Sequence, residues 1–438
     1  ETLMNRKFHI TTFGCQMNEH DSEVMAGMLL EKGFEAVGDR KEADILIINT
    51  CSVRDNADKR FFGTLGALKK RKKDNPNLIM CVCGCMMQQQ HVIDTLKQKY
   101  PWVDVVFGTH NIHQFPELLE NVINEKKKQI SVWPDGGEIV EGLPAKRLHE
   151  NKALVNIMFG CNNFCTYCIV PYTRGRERSR HPEDILKEVR GLVADGVKEI
   201  MLLGQNVNSY KGAEGVDFAD LIYMLNEVEG LERIRFMTSH PKDLSDKLIQ
   251  AFVDCDKLCK NIHLPVQSGS SRVLKEMNRK YTKEQYLELV RKLKEAVPNI
   301  TMSTDIIVGF PGETEEDFEE TLDLVRTVRY DSAFTFLYSI RKGTPAEKYE
   351  NQVPEEVKHE RFNRLVDLVN TISAEKNALY KGTVQKVLVE GSSARNSKTL
   401  AGRTDGFKLV NFHGCKEMIG KTIDVEITEG KTFILEGK

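Results

Sequence analysis

The sequence predicts an α/β protein in three parts: an N-terminal parallel α/β sheet domain, a central partial barrel of six strand–helix units, and a small C-terminal β-barrel. Strand-like and helix-like segments alternate over residues 1–124 and again over 152–345, which is typical of parallel sheets with crossover helices. From residue 382 onward, short β-rich runs are separated by Gly, Ser and Asn. The length of 438 residues suits about three domains.

The N-terminal domain is expected to end at residue 124 and to contain four strands with helices between them. The expected strands are 7–13, 44–49, 78–83 and 103–107, and the expected helices are about 18–32, 54–73 and 86–99. Residues 125–151 contain turn signals such as Pro134-Asp135-Gly136-Gly137 and have weak periodicity. We therefore expect a linker there, with room for a short hairpin.

The central domain is expected over residues 152–371 and includes the helix that follows the partial barrel. Its expected strands are 153–159, 199–204, 233–238, 261–266, 300–310 and 333–339. Thr314, with Asp317 three positions later, is a candidate helix cap. A long amphipathic helix begins at Pro354, and residues 372–438 are assigned to the small β-barrel.

Composition and charge exclude several classes of protein. The chain has 62 basic and 64 acidic residues, so it is not a uniformly basic nucleic-acid binder, although local basic patches remain open. No apolar run reaches ~18 residues and no secretory signal is visible, so we expect no membrane span. Eleven cysteines in so long a chain favour a reduced, cytoplasmic protein whose clustered cysteines bind metal or act in catalysis.

Three cysteines follow three of the predicted N-terminal strands. Cys15, Cys51 and Cys85 each come directly after a strand, and glycine precedes the first and the last of them. Because parallel strands end at one edge of a sheet, the three thiols are expected to converge there. Three thiolates without an obvious fourth ligand fit a four-iron, four-sulfur cluster with one open iron. The alternative is three unrelated cysteines that pack like small apolar residues.

A second group of cysteines follows the first strand of the central domain. Cys161, Cys165 and Cys168 lie within eight residues, and a structural zinc site would need a fourth ligand that no nearby Cys or His supplies. This spacing, with Tyr167 just before the last cysteine, resembles the radical S-adenosylmethionine (SAM) family. The resemblance implies a second four-iron cluster whose open iron binds SAM and whose electron releases a 5′-deoxyadenosyl radical.

Further segments at later strand ends are similar to those of the same family. By this resemblance Tyr167, Gln205, Asn206, Ser239 and Gly309 line the SAM and substrate pocket, while ordinary loop capping is the alternative for each polar residue. The other two candidates are His240 and His263, which are either catalytic or simply packed and hydrogen-bonded.

Two basic runs and the C-terminal domain are candidates for RNA contact. Arg174–Arg180 holds four arginines and one glutamate, which suit phosphate binding, internal ion pairs or, for Arg174, the SAM carboxylate. The run 69–73 ends a helix and is either solvated or bound to RNA. Residues 380–438 have ten Lys/Arg against seven Asp/Glu and resemble the TRAM module, an RNA-associated β-barrel; a structural cap is the alternative.

The order of these parts resembles the methylthiotransferase family over essentially the full chain. The motifs that carry the resemblance are Gly14-Cys15-Gln16-Met17-Asn18, the run from Asn49 to Arg54, Gly84-Cys85-Met86 and the run from Ile169 to Glu177. The resemblance implies insertion of a methylthio group at C2 of N6-isopentenyladenosine beside the tRNA anticodon. One SAM would methylate sulfur on the Cys15, Cys51 and Cys85 cluster, and a second would supply the radical.

The resemblance also implies partners: the tRNA anticodon stem-loop, an electron donor, and a sulfur or cluster source. A monomer is expected. Three other functions remain open at this point. They are methylthiolation of threonylcarbamoyladenosine or of a ribosomal-protein aspartate, RNA binding with structural zinc, and electron transfer without SAM.

Overall fold

The computed structural model describes residues 5–52, 56–237, 239–393 and 396–438. Val53 and Arg54 of the second cysteine motif, and Thr238 at the end of a predicted strand, lie outside the described residues. The expected α/β fold class is confirmed. The chain forms two compact units, an N-terminal unit of residues up to 148 with 158–164 and 168–180, and a C-terminal unit of 149–157, 165–167 and 181–438.

The N-terminal unit is built on a six-stranded parallel sheet in the order β2-β1-β3-β4-β5-β6. Its strands are β1 (Lys7–Thr12), β2 (Glu35–Ala36), β3 (Ile45–Thr50), β4 (Ile79–Gly84), β5 (Val105–Phe107) and β6 (Gln129–Ser131). Its helices are α1 (Gln16–Glu31), α2 (Ala57–Ala67), α3 (Lys69–Asp74), α4 (Gln90–Lys99) and α5 (Phe115–Glu125).

Apolar side chains cover both faces of this sheet. Ile45 and Ile47 of β3 belong to one core, and Leu46 and Ile48 to the other. A strand buried on both faces reads as a continuous apolar run, as β3 does. β6 lies within the segment that was expected to be a linker. The sequence did not indicate this strand, because its three residues, Gln-Ile-Ser, carry no strand pattern. They form a strand by pairing with β5.

The C-terminal unit contains the six parallel strands of the partial barrel. They are β7 (Lys152–Asn156), β10 (Glu199–Leu203), β11 (Arg233–Phe236), β12 (Asn261–His263), β13 (Thr301–Val308) and β14 (Ser332–Leu337). They form two three-stranded sheets, β7-β10-β11 and β12-β13-β14, joined by a bridge between Ile234 and Leu258. Their spatial order therefore follows the chain, and their carboxyl ends share one rim.

Helices follow these strands. They are α7 (Pro182–Ala194), α8 (Phe218–Asn226), α9 (Asp246–Asp254), α10 (Ser271–Glu276), α11 (Lys283–Ala296), α12 (Glu315–Val328) and α13 (Glu355–Ala378). The predicted cap of α12 is present: Thr314 Oγ1 accepts from the backbone N–H of Asp317, and the Asp317 carboxylate accepts from the N–H of Thr314 at 2.8 Å. Such a cap stabilises a helix by about 1 kcal/mol.

Three short elements between β7 and α7 belong to the N-terminal unit. They are β8 (Met158–Phe159), α6 (Val170–Thr173) and β9 (Arg178–Ser179). β8 and β9 pair antiparallel. The segment that carries the second cysteine group is therefore divided between the two compact units.

The C-terminal β-barrel is closed and has five strands in the order β15-β16-β17-β19-β18. They are β15 (Val384–Ser393), β16 (Asn396–Thr404), β17 (Leu409–His413), β18 (Thr422–Gly430) and β19 (Leu435–Gly437). The barrel contacts the first residues of β11 and β13, where Arg233 Nη1 donates to Arg403 O at 2.9 Å and Thr301 Oγ1 donates to Gly406 O at 2.6 Å. Within the described part of the chain, no helix is long and apolar enough to cross a membrane.

Candidate active site

The first cysteine group lies at the carboxyl ends of β1, β3 and β4, which are neighbours in the sheet. Cys15 caps α1, Cys51 follows β3, and Cys85 follows β4. Three neighbouring parallel strands therefore bring the three cysteines to one edge of the sheet. A Cβ added to Gly14, which has φ +114°, would lie 2.7 Å from Cys51 Cβ, so glycine permits this close approach.

A buried arginine lies against this group. Both terminal nitrogens of Arg174 lie 3.4 Å from Asp21 Oδ2, and the positive charge of the guanidinium acts on Cys85. Burial raises the pKa of Cys85 to about 11, and the positive charge of Arg174 opposes that rise. Burial also raises the pKa of Asp21, again opposed by Arg174. The sequence placed Arg174 among residues for SAM or phosphate, and the structure places it beside the first cysteine group.

The donor set of this group fits a four-iron cluster. It combines three thiols with a buried cation that balances the charge of thiolates, and hydrogen bonds to sulfur tune such clusters. No three Cys, His, Asp or Glu side chains among the described residues are placed to hold a single metal ion.

A cavity of about 270 Å³ opens beside Cys51. Its walls come from β1, β3 and α2 and from the turns that follow the strands. They are formed by Thr12, Phe13, Gly14, Glu19, Thr50, Cys51, Ala57, Arg60, Phe61 and Met86. The first cysteine group thus borders an open space within the N-terminal unit.

Cys161 and Cys168 of the second group belong to the N-terminal unit. The backbone N–H of Cys161 donates to Gly175 O at 3.0 Å, and the N–H of Asn163 approaches Cys161 Sγ at 3.5 Å. Gly160, with φ +78°, lies so close to the Arg176 carbonyl that an added Cβ would be 2.3 Å from its oxygen. The residues after the cluster loop therefore hold its first cysteine in place.

Cys165 belongs to the C-terminal unit, where a second buried arginine contacts it. Arg279 Nη1 donates to Cys165 Sγ at 3.4 Å, and its other nitrogens donate to Pro265 O at 2.7 Å and to Tyr281 Oη at 3.0 Å. The neighbouring Thr166 is fixed by a backbone hydrogen bond to Met277 O at 3.0 Å. Arg279 lies 114 positions from Cys165, and no local motif in the sequence marks it as a partner of the cysteine group.

The other expected pocket residues of the C-terminal unit follow β10, β11 and β13. Asn206 Nδ2 donates to Asp243 at 2.7 Å, and Asn206 Oδ1 accepts from the N–H of His240 at 2.9 Å. Ser239 Oγ donates to the carbonyl of His263. These bonds tie neighbouring loops of the rim together, which supports a positioning role.

Three further expected residues lie on the same strand ends or in the cysteine loop. The N–H of Gly309 donates to Glu313 Oε1 at 3.1 Å, and burial raises the pKa of that carboxyl to about 7. The Tyr167 ring meets Phe310 edge-on, with centroids 6.5 Å apart. Gln205 lies two residues after the end of β10 and is half-buried.

The two candidate histidines differ in their surroundings. His240 Nδ1 accepts from the N–H of Lys242 at 3.1 Å, and burial lowers the pKa of His240 to about 2, so the ring is neutral with its proton on Nε2. Over the described residues, that Nε2 finds no hydrogen-bond partner. His263 is instead held on both nitrogens, by Ser303 Oγ at 2.8 Å and Asp305 Oδ1 at 3.2 Å.

The basic runs are largely engaged in internal contacts. Arg180 forms a two-pronged pair with Glu141 at 2.9 and 2.7 Å, and Arg178 donates to Gly137 O at 3.1 Å. Arg176 is exposed, with its guanidinium 5.7 Å from the centroid of the Phe164 ring. In the run 69–73, Lys72 pairs with Asp104 at 2.8 Å. Internal ion pairing, one of the alternatives for the arginine run, is thus observed.

Family models match the chain in the same order as its three predicted parts. Residues 155–325 match the radical SAM superfamily, residues 7–108 match the uncharacterized protein family UPF0004, and residues 378–438 match the TRAM domain. The tRNA-2-methylthio-N(6)-dimethylallyladenosine synthase of Alkaliphilus oremlandii is 59% identical over 99% of this chain and 93% of its own. The chain belongs to this synthase family. The synthase of Clostridium tetani is also 59% identical, over 98% of this chain and 96% of its own.

Solved structures share the fold of this synthase-family chain. The radical SAM methyltransferase TsrM from Kitasatospora setae is 13% identical, covers 78% of this chain and 75% of its own, and has a TM-score of 0.56. The cobalamin-dependent SAM radical enzyme OxsB is 14% identical over 84% of this chain and 56% of its own, with a TM-score of 0.55. As a radical SAM enzyme of the synthase family, the chain takes four-iron clusters and SAM as cofactors.

Proposed function

We propose that this chain inserts a methylthio group at C2 of N6-dimethylallyladenosine beside the anticodon of tRNA. The observation that carries the proposal is the presence of two separate groups of three cysteines, each with a buried arginine at one sulfur. The charge of Arg174 acts on Cys85 in the first group, and Arg279 donates a hydrogen bond to Cys165 in the second. The 59% sequence identity to the Alkaliphilus oremlandii synthase, over 99% of this chain, supports the choice of substrate.

The chemistry of the substrate explains why two groups are needed. The C2–H of an adenine ring has no leaving group and no accessible acidity, so acid–base catalysis alone does not replace it. When bound, the clusters and SAM supply the carbon radical, the methyl group and the sulfur. The protein's contribution is to hold these groups, orient the base and exclude side reactions.

Each site residue has a role in this proposal. Cys161, Cys165 and Cys168 hold the SAM-binding cluster, and Cys15, Cys51 and Cys85 hold the auxiliary cluster. Arg174 and Arg279 place positive charge near one sulfur of each group, which offsets the negative charge of a cluster held by thiolates.

The pocket residues orient SAM and the substrate at the carboxyl ends of the barrel strands. Asn206 and Ser239 fix the loops after β10 and β11 through the bonds to Asp243, His240 and His263. Gly309, Tyr167 and Gln205 complete the proposed SAM pocket. Gly309 allows a sharp turn at the end of β13, with φ +80°.

The proposal also includes partners and a compartment. The TRAM barrel binds tRNA, and an electron donor and a sulfur or cluster source act on the enzyme from outside. The chain works as a monomer in the reducing cytoplasm, which suits eleven cysteines that form no disulfide in the described structure.

Nucleoside mass spectrometry of tRNA tests the proposal directly. A strain that lacks the gene should lose 2-methylthio-N6-dimethylallyladenosine and accumulate N6-dimethylallyladenosine, and this chain supplied on a plasmid should restore it. Persistence of the methylthio nucleoside in the deletion strain would contradict the substrate. Loss of a methylthio group from threonylcarbamoyladenosine or from a ribosomal-protein aspartate would instead point to the alternative substrates.

A further inference from the structure

One face of the sheet β12-β13-β14 carries two aromatic side chains on its edge strand β14, Phe334 and Phe336. The parallel register places Ser303 opposite Ser332, Asp305 opposite Phe334, and Ile307 opposite Phe336. Because side chains alternate along a strand, Asp305, Ile307, Phe334 and Phe336 project from the same face. His263 joins them, since it pairs with Ser303.

The opposite face of this sheet is buried, whereas the face that carries Phe334 and Phe336 is exposed to solvent. Met302, Thr304, Ile306 and Val308 are buried, and Thr304 Oγ1 and Tyr286 Oη of α11 both donate to Leu264 O. Phe334 is 54% exposed and Phe336 is 40% exposed. Adjacent exposed aromatic side chains on one face of an enzyme domain mark a binding surface more often than a folding requirement.

This surface has an apolar centre and a single formal charge. Its apolar residues are Phe334, Phe336 and Ile307. Its charged residue is Asp305, whose side chain is 27% exposed. The six residues of this face, which also include His263 and Ser303, contain no lysine or arginine. A carboxylated ligand would meet a carboxylate of the same sign here, whereas a hydrocarbon group would meet two phenyl rings.

We propose that Phe334, Phe336 and Ile307 bind the dimethylallyl group of the substrate adenosine. This inference rests on the proposed function and adds the surface that recognises the substrate. A branched five-carbon group buries its area against aromatic rings and an aliphatic side chain, which is favourable because apolar surface leaves water. Asp305 disfavours substrates that carry a carboxylate, such as threonylcarbamoyladenosine.

Neighbouring contacts hold the aromatic wall in place. The His263 ring meets Phe334 edge-on, with centroids 5.8 Å apart and an interplanar angle of 71°. Ser303 and Asp305 in turn fix both nitrogens of His263. The Phe334 ring is therefore positioned before substrate arrives, which lowers the entropy lost on binding.

The test compares binding of two anticodon stem-loops that differ only in the dimethylallyl group. Fluorescence anisotropy with the reconstituted holoenzyme gives the ratio of the two dissociation constants. Small changes of apolar fit are worth about 10-fold to 200-fold in such pockets. The wild type should prefer the prenylated stem-loop by at least about tenfold, and Phe334→Ala or Phe336→Ala should bring the ratio close to one.

Matched variants separate recognition from misfolding. Phe334→Leu keeps an apolar wall and should retain most of the preference. Phe433→Ala removes an exposed phenylalanine of the C-terminal barrel and should leave the ratio unchanged. Iron content and SAM cleavage without RNA check that each variant is folded and loaded.

A third stem-loop that carries threonylcarbamoyladenosine tests the charge. Asp305→Asn should improve its binding several-fold and leave the prenylated stem-loop little changed. If the wild type produces the methylthio product while both alanine variants keep the full preference, the inference is wrong and the proposed function stands. If the wild type makes no methylthio product from the prenylated stem-loop, the proposed function itself fails.

Discussion

At the scale of single residues, two buried arginines are the feature that local sequence patterns do not reveal. Arg174 reaches Asp21 across 153 positions of the chain, and Arg279 reaches Cys165 across 114. Arginine keeps its charge at all accessible pH values and presents several donors, so it can satisfy a thiolate and a carboxylate together. The six cysteines were recognisable by spacing and by their place after strands, whereas their arginine partners depend on the folded chain.

The charge of Arg174 should set the potential of the auxiliary cluster. Arg174→Met removes a buried positive charge beside Cys85, so adding an electron becomes harder and the midpoint potential should fall. A shift on the order of 60 mV corresponds to one tenfold change for a one-electron couple. A redox titration followed by electron paramagnetic resonance measures it, in a protein whose Cys161, Cys165 and Cys168 are replaced by alanine.

The design of this experiment needs two controls. Arg174→Met leaves Asp21 buried without its cation, so the double variant with Asp21→Asn removes both charges and separates the two effects. Arg174→Lys keeps the charge and should retain most of the potential. An unchanged potential in Arg174→Met, with normal iron content, would show that the arginine serves only to fold the loop.

At the scale of elements, most strands and helices followed from apolar runs and their periods. β3, β4 and the six barrel strands lie within a few residues of the predicted positions, because each is a short run, apolar or alternating, that is followed by a turn. β2 and β6 are two and three residues long, and their pairing partners rather than their sequences define them. α5 was not among the predicted helices, although its sequence carries a helical signal. Its apolar residues recur at helical spacing and are buried: Phe115, Leu118, Leu119 and Val122.

Two arginines of β11, Arg233 and Arg235, bind the C-terminal barrel. Arg235 is fully buried and donates to Glu199 Oε1 at 3.0 Å, Asn261 Oδ1 at 2.8 Å, Thr404 O at 2.6 Å and Asp405 O at 2.8 Å. Its guanidinium lies 4.9 Å from the centroid of the Phe407 ring. These bonds fix the segment of the C-terminal barrel that contains Thr404 and Asp405 to β11.

Arg235→Ala should destabilise the C-terminal unit strongly. Removing one partner of a buried ion pair costs about 3–5 kcal/mol, because Glu199 and the carbonyls lose their donor. Urea unfolding measures the change in the free energy of unfolding. Arg291→Ala is the control, since its pairs with Glu288 and Glu295 are exposed and their loss should change stability little. Equal stability of Arg235→Ala and the wild type would contradict this account of the contact.

At the scale of the whole molecule, charge is unevenly distributed along a chain whose net charge is -2. The C-terminal barrel segment 380–438 carries ten basic and seven acidic residues. Lys381, Lys416 and Lys421 are exposed there. The arginine run after the cysteine loop is mostly engaged in internal contacts, so the barrel is the better candidate for contact with RNA phosphates.

Binding of the anticodon stem-loop should therefore depend on salt through the barrel. Each phosphate contact contributes a slope of roughly 0.7 to 0.9 in a plot of log affinity against log salt. Combined replacement of Lys381, Lys416 and Lys421 by alanine should weaken binding and reduce the magnitude of the slope by up to about 2.7. Replacing Lys247 and Lys292, exposed lysines of the partial barrel, should leave the slope unchanged. The reverse pattern would move the RNA surface away from the barrel.

The central claim is that the two cysteine groups have separate roles in one reaction. Anaerobic turnover with a prenylated anticodon stem-loop, followed by mass spectrometry of 5′-deoxyadenosine and of the RNA, tests it most directly. The wild type and Cys415→Ala, which changes an exposed cysteine outside both groups, should form both products. Cys165→Ala should form neither, and Cys51→Ala should form 5′-deoxyadenosine without the methylthio product. Methylthio product from a folded Cys51→Ala variant, or loss of both products in it, would contradict the account.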